Sequence, residues 1–444
     1  MKAILIIITV LSLCSFGCKK LIATDTPENQ LTTDKVFADT TSATSALLNI
    51  YALFDKTIDP NYNKFMGLYT DEFNYPVAPT NGFATGNLSV SDGTVLNIWK
   101  NNYFVIYSCN DLIQHLQVSG LPTAFKTSSI AEAKFLRAYA YFYLVNSFDR
   151  VPLILTTDVN QSITAKQSDS TAVYQQMIKD LTDAKNGLSE IYTGGEKVRA
   201  NKWAATAMLA RVFLFQKDWT KSALNAGQVI NSGEYSLTAS PSDVFQANSQ
   251  EAILQFWTQY GYITDAQTLI PASGTPQYPV TASLLAAFEP GDLRKTDWLN
   301  SSTSIGTTLY YPFKYHNRAT STASPEYLMA LRLAEQYLIR AESRASQGDY
   351  AGATSDVNVI RLRAGLPALA VFANLKTATD AIMQEYRIEY FAEWGHRYLD
   401  LKRTGLLNTV MSSYKSTWTA KSQVLPIPQN EITYDSNLAQ NPGY

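Results

Sequence analysis

Histidine and cysteine are scarce in this chain of 444 residues, with three of each. His115, His316 and His396 are too scattered to suggest a zinc site, and neither HExxH nor CxxC occurs. There is no GxSxG elbow, P-loop or GxGxxG fingerprint either, so metal and nucleotide chemistry have no support and no cofactor is expected. Charge of one sign is missing too. Thirty-six basic against 38 acidic residues give a net charge of −2 with no basic run, which removes the electrostatic footprint of a nucleic-acid binder. After the first 17 residues no apolar run reaches the roughly 18 residues that a spanning helix needs.

The first 17 residues do carry a pattern. A basic start at Lys2, an apolar run from Ala3 to Leu13 and small residues before a cysteine read as a secretory signal, too short to serve as a final anchor. Gly17-Cys18 looks like a bacterial lipobox, although Ser15 stands where leucine is usual. Cleavage before Cys14 would place Leu13 where a small residue belongs, so Cys18 is the expected lipidation site. The stretch from Lys19 to about Asp34 is polar and Thr-rich, as a tether would be. Cys109 is then the only thiol of the mature body; it makes no internal disulfide and reads as a buried, inert core residue.

Aromatic residues are abundant: 27 Tyr, 19 Phe and 7 Trp exceed what a helical core alone normally requires, so some are expected on display. The segment from Ser129 to Leu155 is the most informative. Ser129 and Glu132 form a capping-box start, Pro152 a stop, and apolar residues line two faces between them, so this helix needs helices on both sides. Further helices are predicted over residues 41–54, 96–117, 171–190, 201–216, 220–231, 326–346, 350–364 and 377–404. Two of the joints share a pattern, Lys217-Asp218-Trp219 and Gly348-Asp349-Tyr350, each followed by an alanine. They resemble divergent tetratricopeptide units, so the fold class expected is mainly α, a helical stack with long irregular loops and a few short strands. Residues 71–96 and 258–324 are the irregular stretches, with a strand expected near 309–315, and loops that long are rarely idle.

AEAKFLRAYAYFYLVNSFDRVPLIL, RLAEQYLIRAESRASQGDYAGATSDVNVIRLRAGLP, EYRIEYFAEWGHRYLDLKRTG and the closing LPIPQNEITYDSNLAQNPGY follow one another in order. Together they resemble the SusD-like (RagB/SusD) family of outer-membrane nutrient-binding lipoproteins. Tyr386 stands where arginine is usual, with Arg387 next to it, and Trp394 precedes Gly395. The resemblance implies a helical fold with four tetratricopeptide units and a lipid-anchored cell-surface protein that acts as the lid of a TonB-dependent, SusC-like transporter. It implies a glycan ligand, or a peptide as in some members. The domain organisation expected is a signal over 1–17, a lipidated tether over 18–34 and one SusD-like domain over 35–444 with ligand loops at about 71–96 and 258–324.

A sugar ring presents a C–H face that lies on an aromatic plane, while its hydroxyls need polar partners at the edge. Phe73, Tyr75, Phe83, Trp257, Tyr260, Tyr262, Tyr278, Trp298 and Tyr310 lie in or beside the irregular stretches and are the candidate ligand contacts, with Asp71, Asn74, Asn81, Asn87, Gln259 and Gln277 as edge partners. Trp99, Tyr103, Trp203, Trp219, Phe288 and Trp394 read as core or scaffold. Glu385, Glu389 and Glu393 share a helical face and could pair as glycosidase carboxylates. An ion-pair network with Arg387, Arg397, Lys402 and Arg403 is preferred, because like charges in adjacent turns need cations. The competing readings are therefore a glycan-binding protein, an interaction scaffold whose transporter partner holds the ligand, and a hydrolase.

Overall fold

A computed structural model describes residues 33–54, 62–77, 81–259, 261–304, 306–320 and 323–444. Cys18, the tether up to residue 32 and Tyr260 lie outside the described residues. Among the described residues the chain is mainly helical, with eleven helices of eight residues or more. They are α1 Thr40–Leu53, α2 Gly93–Val118, α3 Thr123–Phe148, α4 Ser170–Gly187, α5 Lys202–Phe215, α6 Trp219–Asn231, α7 Leu333–Ser346, α8 Tyr350–Arg363, α9 Leu375–Glu389, α10 His396–Arg403 and α11 Leu407–Tyr414. Asp or Asn caps most of their starts: Asp39 accepts from the Thr41 and Ser42 N–H groups at 2.8 and 2.9 Å, and Asp92, Asp169, Asn201, Asp218 and Asp349 repeat the device.

From α2 to α8 each helix packs on the next, and α9 lies against both α7 and α8. α3 is buried on nearly every side between α2 and α4, as its two apolar faces demand. Its polar residues face partners within the stack. Arg137 donates to both carboxylate oxygens of Asp180 on α4 at 2.8 and 2.7 Å, and to Asn110 on α2 at 2.8 Å. Cys109 is buried beside them, and burial pushes its thiol well above the ordinary range. The two similar joints also match in structure: Lys217 and Gly348 take positive φ, and Asp218 and Asp349 cap the helices that follow.

Three boundaries differ from the sequence reading. Helix α3 starts at Thr123, six residues before Ser129, with Pro122 at its N-cap. Ser129 is buried within the helix, and Glu132 turns away to pair with Arg199 at 2.6 Å. The helix predicted over 326–346 begins as a strand: β4, Leu328–Arg332, pairs antiparallel with β1, Ala252–Phe256, and all ten residues of the pair are buried. A fully buried strand lacks the alternation that would have betrayed it. The helix predicted over 377–404 breaks between α9 and α10, where Ala392, Trp394 and Gly395 all have positive φ. A Cβ at Gly395 would sit 2.8 Å from the Met66 Cβ, so this position requires glycine twice over, for backbone and for space.

The long stretch over 258–324 contains short helices at Thr264–Leu269, Ala282–Ala287 and Leu293–Asp297, then a hairpin of β2, Leu299–Ser304, with β3, Thr307–Pro312. β3 is the strand expected near 309–315. The stretch over 71–96 is fastened by Lys415, whose ammonium donates to the carbonyls of Leu68, Phe83 and Ala84.

Candidate functional site

β1 runs through the core as five buried residues, and the chain emerges at Trp257. Trp257 is 49% exposed, where the other tryptophan among the candidates, Trp298, is 1% exposed. The Trp257 ring borders a cleft of about 610 Å³. One wall comes from α1 through Leu48, Tyr51 and Ala52; the other comes from residues 193–199, with Thr258 and Gln259 completing the rim.

Each wall is fixed by hydrogen bonds to the scaffold. Tyr51 donates from its hydroxyl to Glu132 at 2.8 Å and accepts from the Ala200 N–H at 2.8 Å. Arg199 grips the same Glu132 with two bonds, at 3.0 and 2.6 Å. Burial pushes the Glu132 carboxyl up, and Arg199 opposes the shift. The Gln255 N–H donates to the Lys197 carbonyl at 2.8 Å, which lays the 196–199 segment beside the end of β1. The result is an apolar concavity with one displayed indole, a guanidinium, a carboxylate and an amide at its edge.

Most of the predicted contacts are used elsewhere. Phe73, Phe83, Tyr262, Tyr278 and Trp298 are buried in the main core and cannot grip a ligand, a correction to the expectation from their loop positions. The reason is that their loops lie flat against the helices and seal them. Trp298 packs edge-on to Phe245 and donates its indole N–H to the Pro241 carbonyl at 2.8 Å, while Tyr262 packs edge-on to Tyr315. Phe83 meets Phe65 and Tyr69. Tyr75 and Tyr310 are half-buried. Tyr75 lies 5.7 Å from Tyr278, ring centre to ring centre, and the Lys64 ammonium stands 5.9 Å over Tyr278. None of these rings borders the Trp257 cleft. Of the edge partners Gln259 borders it, whereas Asp71 is buried between Arg387 and Arg397. Sequence reasoning missed Leu48, Tyr51, Glu196 and Arg199; the pair Gly194-Gly195 beside charged residues was the available signal.

The three late glutamates face inward. Glu251, Asp292, Glu385, Glu389 and Glu393 interleave with Arg294, Arg332, Arg361, Arg363 and Lys314 in a buried lattice. Glu389 alone accepts from Arg294 at 3.0 Å, from Arg332 at 2.5 Å and from Arg363. Burial would raise this carboxyl, yet Arg363, Arg332 and Arg294 hold it well below the usual range. The network is real, but its expected partners were wrong. Arg387 and Arg397 serve Asp71, Arg403 serves Glu342 and Asp400, and Lys402 donates to the Asn146 carbonyl. Spacing by four turns Glu385 and Glu389 to one face of α9 and Arg387 to another, so cations from other elements meet them, and Glu393, in the break after α9, meets Arg332 and Lys314.

Two family profiles match, one described as the SusD family over residues 287–444 and one as starch-binding, associating with the outer membrane, over residues 27–214. The chain belongs to the SusD-like family. It is similar to the SusD-like protein P2 of Formosa agariphila, 26% identical over 82% of this chain and 83% of that one. The match to the SusD-like protein P25 of the same organism is 26% identical over 38% of this chain and spans only 32% of that relative, and a Bacteroides ovatus SusD-like protein is matched over 52% of its length. Among solved structures, a SusD superfamily protein from Bacteroides vulgatus superposes with a TM-score of 0.81 at 19% identity, over 92% of this chain and 100% of that one. A laminarin-binding SusD-like protein superposes with a TM-score of 0.77 at 25% identity, over 91% and 99%. Among the described residues of this SusD-like chain no helix is long and apolar enough to cross a membrane.

Proposed function

We propose that this protein captures an oligosaccharide at the bacterial surface and passes it to a SusC-like TonB-dependent transporter, held to the outer membrane by lipid on Cys18. The observation that carries the reading is the displayed face of Trp257 in a cleft of about 610 Å³. A pyranose face lies on the indole while Arg199, Glu196 and Gln259 meet its hydroxyls, the arrangement of apolar floor and few polar groups that suits a small-molecule site. Tyr75 and Tyr310 are the remaining candidate contacts. The family profile that describes starch binding and the laminarin-binding structural relative support a glucan as the ligand class.

No bond is made or broken in this function. A glycosidase acid needs a raised carboxyl pKa and access to the sugar, whereas the late glutamates are sealed, and Glu389 and Glu393 are held low by neighbouring cations. Affinity resting on one ring and a few edge bonds lies in the micromolar to millimolar range, about 4 to 8 kcal/mol. Titration calorimetry with laminarin and starch oligosaccharides tests the reading. Saturable heat that disappears in Trp257→Ala supports it. Silence across a broad glycan panel, with binding to a peptide library instead, replaces glycan capture with peptide capture.

A further inference from the structure

A second concavity of about 710 Å³ lies between α6 and α7, with the flanks of α4 and α5 at its edge, and shares no lining residue with the Trp257 cleft. Gly227 forms part of its floor, and a Cβ added there would stop 3.8 Å from the Arg340 Cδ, in ordinary contact. Lys185, Lys202, Arg340 and Arg344 line it, and no carboxylate does. The acids stand behind the cations: Glu190 takes Lys202 at 2.6 Å, and Asp356 takes Arg340 and Arg344 at 2.6 and 2.9 Å. Lys185 has no acidic partner among the described residues. Its ammonium donates to the side-chain oxygens of Asn225 and Gln228 at 3.0 and 2.7 Å, which leaves one of its three N–H groups. Burial, and then the nearby Lys202, lowers the pKa of this ammonium, as expected of a cation facing another cation without an acid between them. Arg340 uses Nε and Nη2 on Asp356 and keeps Nη1.

The geometry points to a docking groove for an extended, carboxylate-bearing segment of a partner protein. The free donors sit on α4, α5 and α7, so they match acidic side chains repeated along a chain rather than one isolated anion. The exposed Leu224 offers an apolar edge for a residue between them. A sugar fits less well, because the Trp203 ring that would serve as its platform already carries the Lys202 ammonium 5.3 Å above it.

Fluorescence anisotropy of the whole protein with a labelled, acetylated octapeptide of alternating Asp and Leu tests this. Saturable binding in about 50 mM NaCl should weaken at least roughly tenfold in about 500 mM NaCl, since exposed charges are screened over a few ångströms there. Lys185→Glu combined with Lys202→Glu should weaken it by at least about tenfold. So should Gly227→Glu, which puts a carboxylate into the groove and favours its helix. The thermal midpoint of each variant checks folding, so the outcome does not depend on the glycan reading. Equal binding of an Asn/Leu octapeptide, no binding at low salt, or tighter binding of a hexuronate oligomer than of the acidic peptide would overturn the proposal.

Discussion

The buried lattice beneath α9 and the Trp257 cleft use overlapping residue types to opposite ends. In the lattice, Glu389 is wholly enclosed by cations from other elements, and each of the other carboxylates has a buried cation of its own. In the cleft, Arg199 and Glu132 make the same kind of pair, but one side of it borders open space beside a displayed indole. The comparison teaches that the chemistry of a residue does not assign its role here. Enclosure does: charged groups locked on all sides hold the fold, and groups locked on one side leave the other for a ligand.

The largest expected effect is on the lattice. Glu389→Ala leaves Arg294, Arg332 and Arg363 buried without their shared acceptor and should cost about 3 to 5 kcal/mol in urea denaturation. A loss under about 1 kcal/mol would show that the lattice holds nothing. Trp257→Ala should lower glycan affinity about thirtyfold, roughly 2 kcal/mol, with the thermal midpoint nearly unchanged; a fall in stability with unchanged affinity would reverse the contrast between the two regions.

Glu72 sharpens the rule from the other direction. This carboxyl is buried beside Asp71, and one of its oxygens has no hydrogen-bond partner. Burial first, and Asp71 second, push it up to about 8. Its folded pKa exceeds its unfolded value, so its contribution is fully present below about pH 4.5 and is lost as pH rises toward 8. Glu72→Gln should therefore gain about 1 to 2 kcal/mol relative to the parent at pH 8 and almost nothing at pH 4, read from melts at both values. The smallest effect belongs to the exposed pair Lys376–Asp380, at 2.6 Å: Lys376→Ala should change stability by less than about 0.5 kcal/mol, and a larger loss would mean that enclosure is not what gives ion pairs their weight.

Much of the scaffold was legible because helices with long apolar faces announce themselves. α3, α5 and α8 follow their periodicity to within a few residues at most ends, and the four ordered motifs carried the family. What failed had a common physical cause: the partner was remote in sequence. The β1–β4 pair, the cations around Glu389 and the burial of Trp298 and Tyr262 are all set by contacts across tens of residues. Loop composition marks where a ring leaves regular structure, not whether another segment folds over it. Trp257 was among nine rings that the sequence could not rank, and the closure of the loops over five of them is what sets those five apart from it.

The position of Trp257 at one end of β1 has a mechanical side. At the other end, Glu251 is clamped by Arg332 of the facing strand at 2.8 Å and by Arg363 at 2.9 Å. Sliding the strand by one residue would pull Glu251 off both arginines and exchange the two buried faces of β1, so that every side chain would meet the wrong neighbours. The proposed sugar platform is thus a short cantilever bolted at its root, its stiffness drawn from charges that lie outside the cleft.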